Sequence, residues 1–292
     1  MVGYDVFSLT RIGERHLLKG APCQDSSSSA RIGGAVAICV SDGHGASDYF
    51  RSDKGSQFAC EAFMEFASRA HGDCHIPDLS ASDRRSSFFR SMDGFILSLW
   101  HEKINADLKS HPIEPEERAR ASAVVESDWV SGNNMSKAYG ATLIGAVIAK
   151  GYCYGIQIGD GELICIGENG TCLRPVPEDN RCVGSITTSL CDNKAINEFR
   201  HFFSQLPMRA VFAATDGVDK SFGIDQTDQL DAFYGKIVSR FQNNGRDAAT
   251  EELQQFLPNL SKKGSGDDIS VSGAVRRLSF SQRLFKGFKH KD

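Results

Sequence analysis

The stretch Ala35-Val36-Ala37-Ile38-Cys39-Val40-Ser41-Asp42-Gly43-His44-Gly45 decides how the rest of this chain is read. Its apolar run from Ala35 to Val40 has the length and composition of a strand buried on both faces. The Asp-Gly-His-Gly that follows sets a carboxylate, a backbone kink and an imidazole at the strand's end. Three more acidic marks punctuate the chain in the same way: Gln24-Asp25, Ala214-Thr215-Asp216-Gly217 and Gly266-Asp267-Asp268-Ile269-Ser270. Each lies beside an apolar, strand-like run. Carboxylates at strand ends, aimed at a common point, are what a hard divalent cation needs.

Bulk properties narrow the function. A chain of 292 residues can bury a substantial core, and a formal net charge of −4 gives no sign of a general nucleic-acid binder. Apolar runs such as Leu143 to Ala149 fall well short of the roughly 18 residues of a membrane span. Asp5 and Arg11 interrupt the N-terminus, which has no signal-peptide apolar core, so the expectation is a cytoplasmic protein with no transmembrane segment. The 9 cysteines form an odd set without a Cys-x-x-Cys pair, which argues against a disulfide framework and against a zinc ribbon.

Segment types alternate along the chain. Tyr4 to Leu9 and Ala35 to Val40 read as strands. Phe58, Ala59, Ala62, Phe63, Phe66 and Ala67 recur at helical spacing, as do Phe88, Phe89, Met92, Phe95, Ile96, Leu99, Trp100, Ile104 and Leu108. Ser110 to Met135, with Pro112 and Pro115, reads as an irregular or partly helical excursion. Ala141 to Ala149, Tyr152 to Ile158 and Glu162 to Ile166 read as strands of an antiparallel meander, turned at Lys150-Gly151, Gly159-Asp160-Gly161 and Asn169-Gly170. Arg174 to Lys194 has no periodicity and reads as a surface flap. After a short strand at Ala210 to Ala214, Leu230 to Phe241 form an amphipathic helix. A second helix starts near Asp247 and is expected to stop at Pro258. Ile269 to Val275 is a last strand. The division is a domain over residues 1–275 and a basic tail over 276–292. The tail's aromatics interleave with Arg and Lys, a pattern suited to an anionic surface or a partner groove.

Four acids gathered from distant strands would repel one another and resist ionisation. Two cations about 3.5–4 Å apart neutralise such a set and activate a water for attack on phosphorus. No Walker-type loop, Gly-x-Ser-x-Gly elbow or His-Glu-x-x-His is present to suggest other chemistry.

The ordered set Gln24-Asp25, Asp42-Gly43-His44-Gly45, Ala138-Tyr139-Gly140-Ala141-Thr142, Ile158-Gly159-Asp160-Gly161, Thr215-Asp216-Gly217 and Asp267-Asp268-Ile269-Ser270 resembles the metal-dependent protein phosphatases of type 2C, the PPM family. The stretch from Gly13 to Asp25 looks most like a bacterial branch. The resemblance implies an α+β fold: a four-layer α/β/β/α sandwich of two mostly antiparallel sheets flanked by helix pairs. It implies hydrolysis of phosphoserine or phosphothreonine in protein substrates, by in-line attack of a water bridging two Mg²⁺ or Mn²⁺ ions. Carried over residue by residue, Asp25, Asp42 and the Gly43 carbonyl serve one ion, and Asp42, Asp216 and Asp267 the other. Asp268 supports, and His44 is the general acid. A third ion would take Asp160 and Asp219, although Asp219 follows Asp216 by three residues where the family pattern has four. Gln24 replaces a frequent Glu, and no Arg stands where the animal enzymes grip phosphate, leaving Arg11, His16 and Lys19 as candidates. These departures frame the alternative of a phosphatase-like pseudoenzyme acting as a signalling module.

Overall fold

The computed structural model describes residues 3–72, 76, 78–130, 134–182, 186–223 and 225–278. Along the chain run β1 (Tyr4–Arg11), α1 (Glu14–Lys19), β2 (Ser26–Ile32), β3 (Ala35–Ser41), α2 (Ser52–Gly72), α3 (Ser82–Ser110), α4 (Pro115–Arg118) and α5 (Ala123–Val130). Then follow β4 (Leu143–Ala149), β5 (Tyr152–Ile158), β6 (Glu162–Gly167), β7 (Cys172–Leu173), β8 (Arg200–Ser204) and β9 (Met208–Ala214). The chain continues through α6 (Asp216–Asp219), α7 (Thr227–Asn244), α8 (Arg246–Lys263) and β10 (Ile269–Arg276). Two sheets form, in the orders β1-β10-β9-β6-β7 and β2-β3-β4-β5-β8. Their pairings are antiparallel.

Side-chain alternation explains why β3 carries no polar stripe. Ala35, Ala37 and Cys39 face α2 and α3, where they meet Phe63, Met92, Ile96 and Trp100. Val36, Ile38 and Val40 point the other way, onto Val211, Ala213 and Ala274 of the second sheet. β9 repeats the pattern in mirror: Ala210, Phe212 and Ala214 pack with Tyr234, Ile237, Leu253 and Leu257 of α7 and α8. The layers are therefore helix pair, sheet, sheet, helix pair, as the resemblance implies.

Three sequence expectations are corrected. The meander does not continue through β6: β4 and β5 pair with each other, but at Gly159-Asp160-Gly161 the chain crosses to the other sheet, where β6 lies against β9. Pro258 does not end α8, which runs on to Lys263. Pro258 faces solvent, where water satisfies the freed carbonyl, while Leu253, Leu257 and Ser261 keep the inner face buried. The segment from Arg174 to Lys194 is not simply a surface flap, because Thr188, Ser189, Leu190 and Cys191 are buried. Three strands, β2, β7 and β8, were not expected at all.

The eight described cysteines are free thiols, and Cys74 lies outside the described residues. Of the basic tail, residues 279–292 lie outside them as well. Arg276 ends β10 and pairs with Glu168, and Arg277 pairs with Asp5, so the tail's first two cations are engaged by the sandwich. Among the described residues no helix is long and apolar enough to cross a membrane.

Candidate metal centre

Strand registers bring the acidic marks to one end of the sandwich. Ser26 pairs with Ser41, placing Asp25 beside Asp42, and Leu143 pairs with Ile158 just before Asp160. In the second sheet Glu162 and Val271 both pair with Ala214, which sets Asp160, Asp216 and Asp267 at the matching end.

Asp42 is held by its backbone. Its N–H donates to Thr142 Oγ1 at 3.0 Å, its carbonyl accepts from Thr142 N at 2.8 Å, and Ser41 Oγ donates to the Thr142 carbonyl at 2.5 Å. Gly43 then passes between two backbones. A Cβ there would lie 2.5 Å from the Ser52 carbonyl oxygen and 2.6 Å from that of Gln24, so no other residue fits without displacing the turn. Asp25 is buried and accepts from Thr215 Oγ1 at 2.7 Å, while Thr215 Oγ1 itself accepts the Ser270 N–H at 2.9 Å. One threonine thus ties the first sheet's acid to the start of β10.

The gathered carboxyls act on one another's charge. Burial lifts the Asp42 carboxyl well above the usual range, and Asp25, Asp216, Asp160 and Asp267 push it further in the same direction. Asp25 is raised by burial, with Asp268 and Asp216 adding to it and the Thr215 hydroxyl opposing. Asp216 is raised by burial and by Asp160, against the neighbouring Lys220 ammonium. Burial and like charge together make the ionised forms of Asp25, Asp42 and Asp216 costly, a cost that a bound cation would offset. Among the described residues no three or more His, Cys, Asp or Glu side chains stand grouped closely enough to hold a metal ion by themselves. An open, all-oxygen cleft instead fits Mg²⁺ or Mn²⁺, which keep several waters and take few protein ligands.

The expected supporting and third-ion residues separate clearly. Asp268 is buried and accepts the Gly13 N–H and the Gln24 N–H, each at 2.6 Å, with His16 Nδ1 2.9 Å away. It anchors the loop that delivers Asp25. Asp160 accepts from Thr187 Oγ1 at 2.9 Å and lies near Lys220. Burial lifts the Asp219 carboxyl to about 7, with the charges of Glu162 and Asp216 adding to it and Lys220 opposing, and its Oδ1 has no hydrogen-bond partner. Of the phosphate-grip candidates, Arg11 donates to the Thr10 carbonyl at 2.6 Å and His16 is beside Asp268, while Lys19 closes α1 in solvent.

His44 stands at the lip of the cleft. Its Nε2 is 2.7 Å from Ser189 Oγ, its ring meets Tyr49 edge-on at 4.7 Å, and burial lowers its pKa to about 4. Lys137 caps the far side of Tyr49, its Nζ 4.6 Å from the ring centre. Sequence reasoning overlooked Thr215, Thr187, Ser189 and Lys220. Of these only Lys220 carried a signal, its spacing of four from Asp216.

The comparisons bear on this geometry. The family model described as Protein phosphatase 2C matches residues 12–258. No curated protein sequence matches the chain. A bacterial serine phosphatase is similar in structure, with a TM-score of 0.59, 13% identity, and coverage of 94% of this chain and 99% of the other. The catalytic domain of the serine threonine protein phosphatase PstP, solved in complex with 2 manganese ions, gives a TM-score of 0.53 at 14% identity, covering 94% and 99%. Stp1 from Staphylococcus aureus, a serine/threonine phosphatase, gives 0.56 at 11% identity, covering 94% and 95%. Identities this low carry the fold alone, but the family model spans most of the chain and takes in the strand-end acids up to Asp216. The chain belongs to the protein phosphatase 2C family.

Proposed function

We propose that this protein is a divalent-metal-dependent protein serine/threonine phosphatase whose catalytic unit is residues 1–275. The observation that carries the reading is the convergence of Asp25, Asp160, Asp216 and Asp267 on Asp42 at one end of both sheets, where each of the four raises the charge cost of Asp42. Two Mg²⁺ or Mn²⁺ ions bound there would neutralise these carboxylates and supply the activated water for attack on phosphorus.

The chain's own residues divide the remaining work. Asp25, Asp42 and the Gly43 carbonyl would hold one ion, and Asp42, Asp216 and Asp267 would hold the other. Thr215 holds the Asp25 carboxylate, and Asp268 anchors the loop that delivers it. His44 delivers a proton to the departing serine or threonine oxygen. Burial favours its neutral form, and the dianionic phosphate of the substrate, once in the cleft, restores the imidazolium by charge attraction. Ser189, hydrogen-bonded to Nε2, fixes the ring plane. The unit acts on phosphoserine and phosphothreonine in proteins. The basic tail is the segment for a partner or anionic-surface contact.

The test is phosphate release from phosphoserine and phosphothreonine peptides with Mn²⁺, with Mg²⁺ and with chelator. Release that requires the metal supports the reading. No release by folded, Mn²⁺-saturated protein would turn it toward the binding module.

A further inference from the structure

Lys220 lies one helical turn after Asp216, so its side chain folds back over that carboxylate. Its Nζ contacts Asp216 Oδ2 and stands 3.6 Å from Asp160 Oδ2. The two acids come from different sheets: Asp160 from the crossing after β5, Asp216 from the end of β9. An ammonium between them is therefore a bridge across the mouth of the cleft. Asp160 is steadied on its other oxygen by Thr187. The lysine side chain is 48% exposed, so it enters the cleft from the solvent side and is not locked in by packing.

We propose that Lys220 is a built-in counter-cation: its ammonium occupies the place between Asp160 and Asp216, excludes a third divalent ion, and competes with the ion held by Asp216. The inference rests on the proposed metal centre. Three N–H donors suit two carboxylates, and tethering to α6 makes the positive charge permanent and indifferent to chelators. A divalent ion approaching Asp216 must displace Lys220 or share the carboxylate with it. Either way its affinity is lowered, while the ion held by Asp25 and the Gly43 carbonyl is affected less. Lys220 is thus a positioning residue for Asp216.

Direct Mn²⁺ binding decides this, by titration calorimetry and by electron paramagnetic resonance counting of bound ion, with thermal melts confirming that each variant folds. The wild type should bind two ions, one more weakly. Lys220→Met should tighten the weaker ion about tenfold or more, a shift of 1.4 kcal/mol or beyond. Lys220→Arg, which keeps the cation, should remain at the wild-type value. Lys220→Asp should add a third ion. Two ions with unchanged affinities in Lys220→Met would overturn the role of Lys220 alone, since the side chain would then simply swing into solvent. Absence of Mn²⁺ binding in every variant would overturn the proposal together with the metal centre.

Discussion

Thr215→Val removes one hydroxyl and leaves the shape of the site intact. The backbone at Thr215 is extended, with φ −74° and ψ 160°, a conformation in which valine is unstrained. Two hydrogen bonds disappear: the 2.7 Å donation to Asp25 and the 2.9 Å acceptance from the Ser270 N–H. Ser270 is buried, so its N–H is stranded at a cost of about 1–3 kcal/mol, and the lost bond to Asp25 adds about 1 kcal/mol. The total, roughly 2–4 kcal/mol, corresponds to a fall in melting temperature of about 3–7 °C for a chain of this size. The assay is urea denaturation with chelator present, so that bound metal cannot mask the loss. Because the Thr215 hydroxyl lowers the Asp25 pKa, the variant should also hold a proton on Asp25 to higher pH and bind Mn²⁺ more weakly. A stability change below about 0.5 kcal/mol, the range of an inconsequential surface substitution, would refute the tie between the two sheets.

Without metal, stability should fall as pH rises from about 6.5 to 7.5. Asp25, Asp42, Asp216 and Asp219 have folded pKa values above their unfolded ones, Asp219 reaching about 7. Their contribution is complete below the unfolded value near 4 and is lost as pH climbs through the folded values. His44 and His71, both lowered to about 4 by burial, act in the opposite sense but only below their unfolded value near 6.5. Melts in chelator measure this, and a melting temperature that rises over that interval contradicts it. His44→Ala should slow a phosphothreonine peptide by about 10²-fold or more, yet spare para-nitrophenyl phosphate, whose leaving group departs as an anion. Equal losses on both substrates in steady-state kinetics would remove His44 from the acid role. Gly55→Ala should destabilise by about 1–3 kcal/mol or more through overpacking, because the new Cβ would lie 1.8 Å from the Tyr139 carbonyl oxygen. Denaturation at the wild-type urea concentration would show that the α2 contact yields freely.

Much of the fold could be read from the chain because β3, β4 and β9 are apolar on both faces and α2, α3 and α7 carry wide stripes. What escaped did so for physical reasons. β2 is spelled Ser26-Ser27-Ser28-Ser29-Ala30-Arg31-Ile32, an edge strand whose hydroxyls bond across to Thr10 and Ser56, so polarity hides it. β8 is an edge strand too, and its His201 pairs with Asp93 at 2.8 Å. The crossing at Gly159-Asp160-Gly161 has the composition of a hairpin turn. Gln157 Nε2, donating to the carbonyls of Gly159 and Gly161, and Thr188 Oγ1, accepting the Gly159 N–H, hold it in place from a distance. At the site, the acids were legible because a strand end followed by Asp-Gly is a local pattern. Thr215 and Ser189 act through partners 190 and 145 residues away, which no local spacing encodes.

The most direct test is a Mn²⁺ titration of phosphothreonine-peptide hydrolysis by wild type and Asp42→Asn, with Mn²⁺ binding followed in the same samples. Asp42 lies where the other four carboxylates converge, so the variant should lose both tight binding of metal and phosphate release. Wild-type levels of metal binding and turnover in Asp42→Asn would place the chemistry elsewhere.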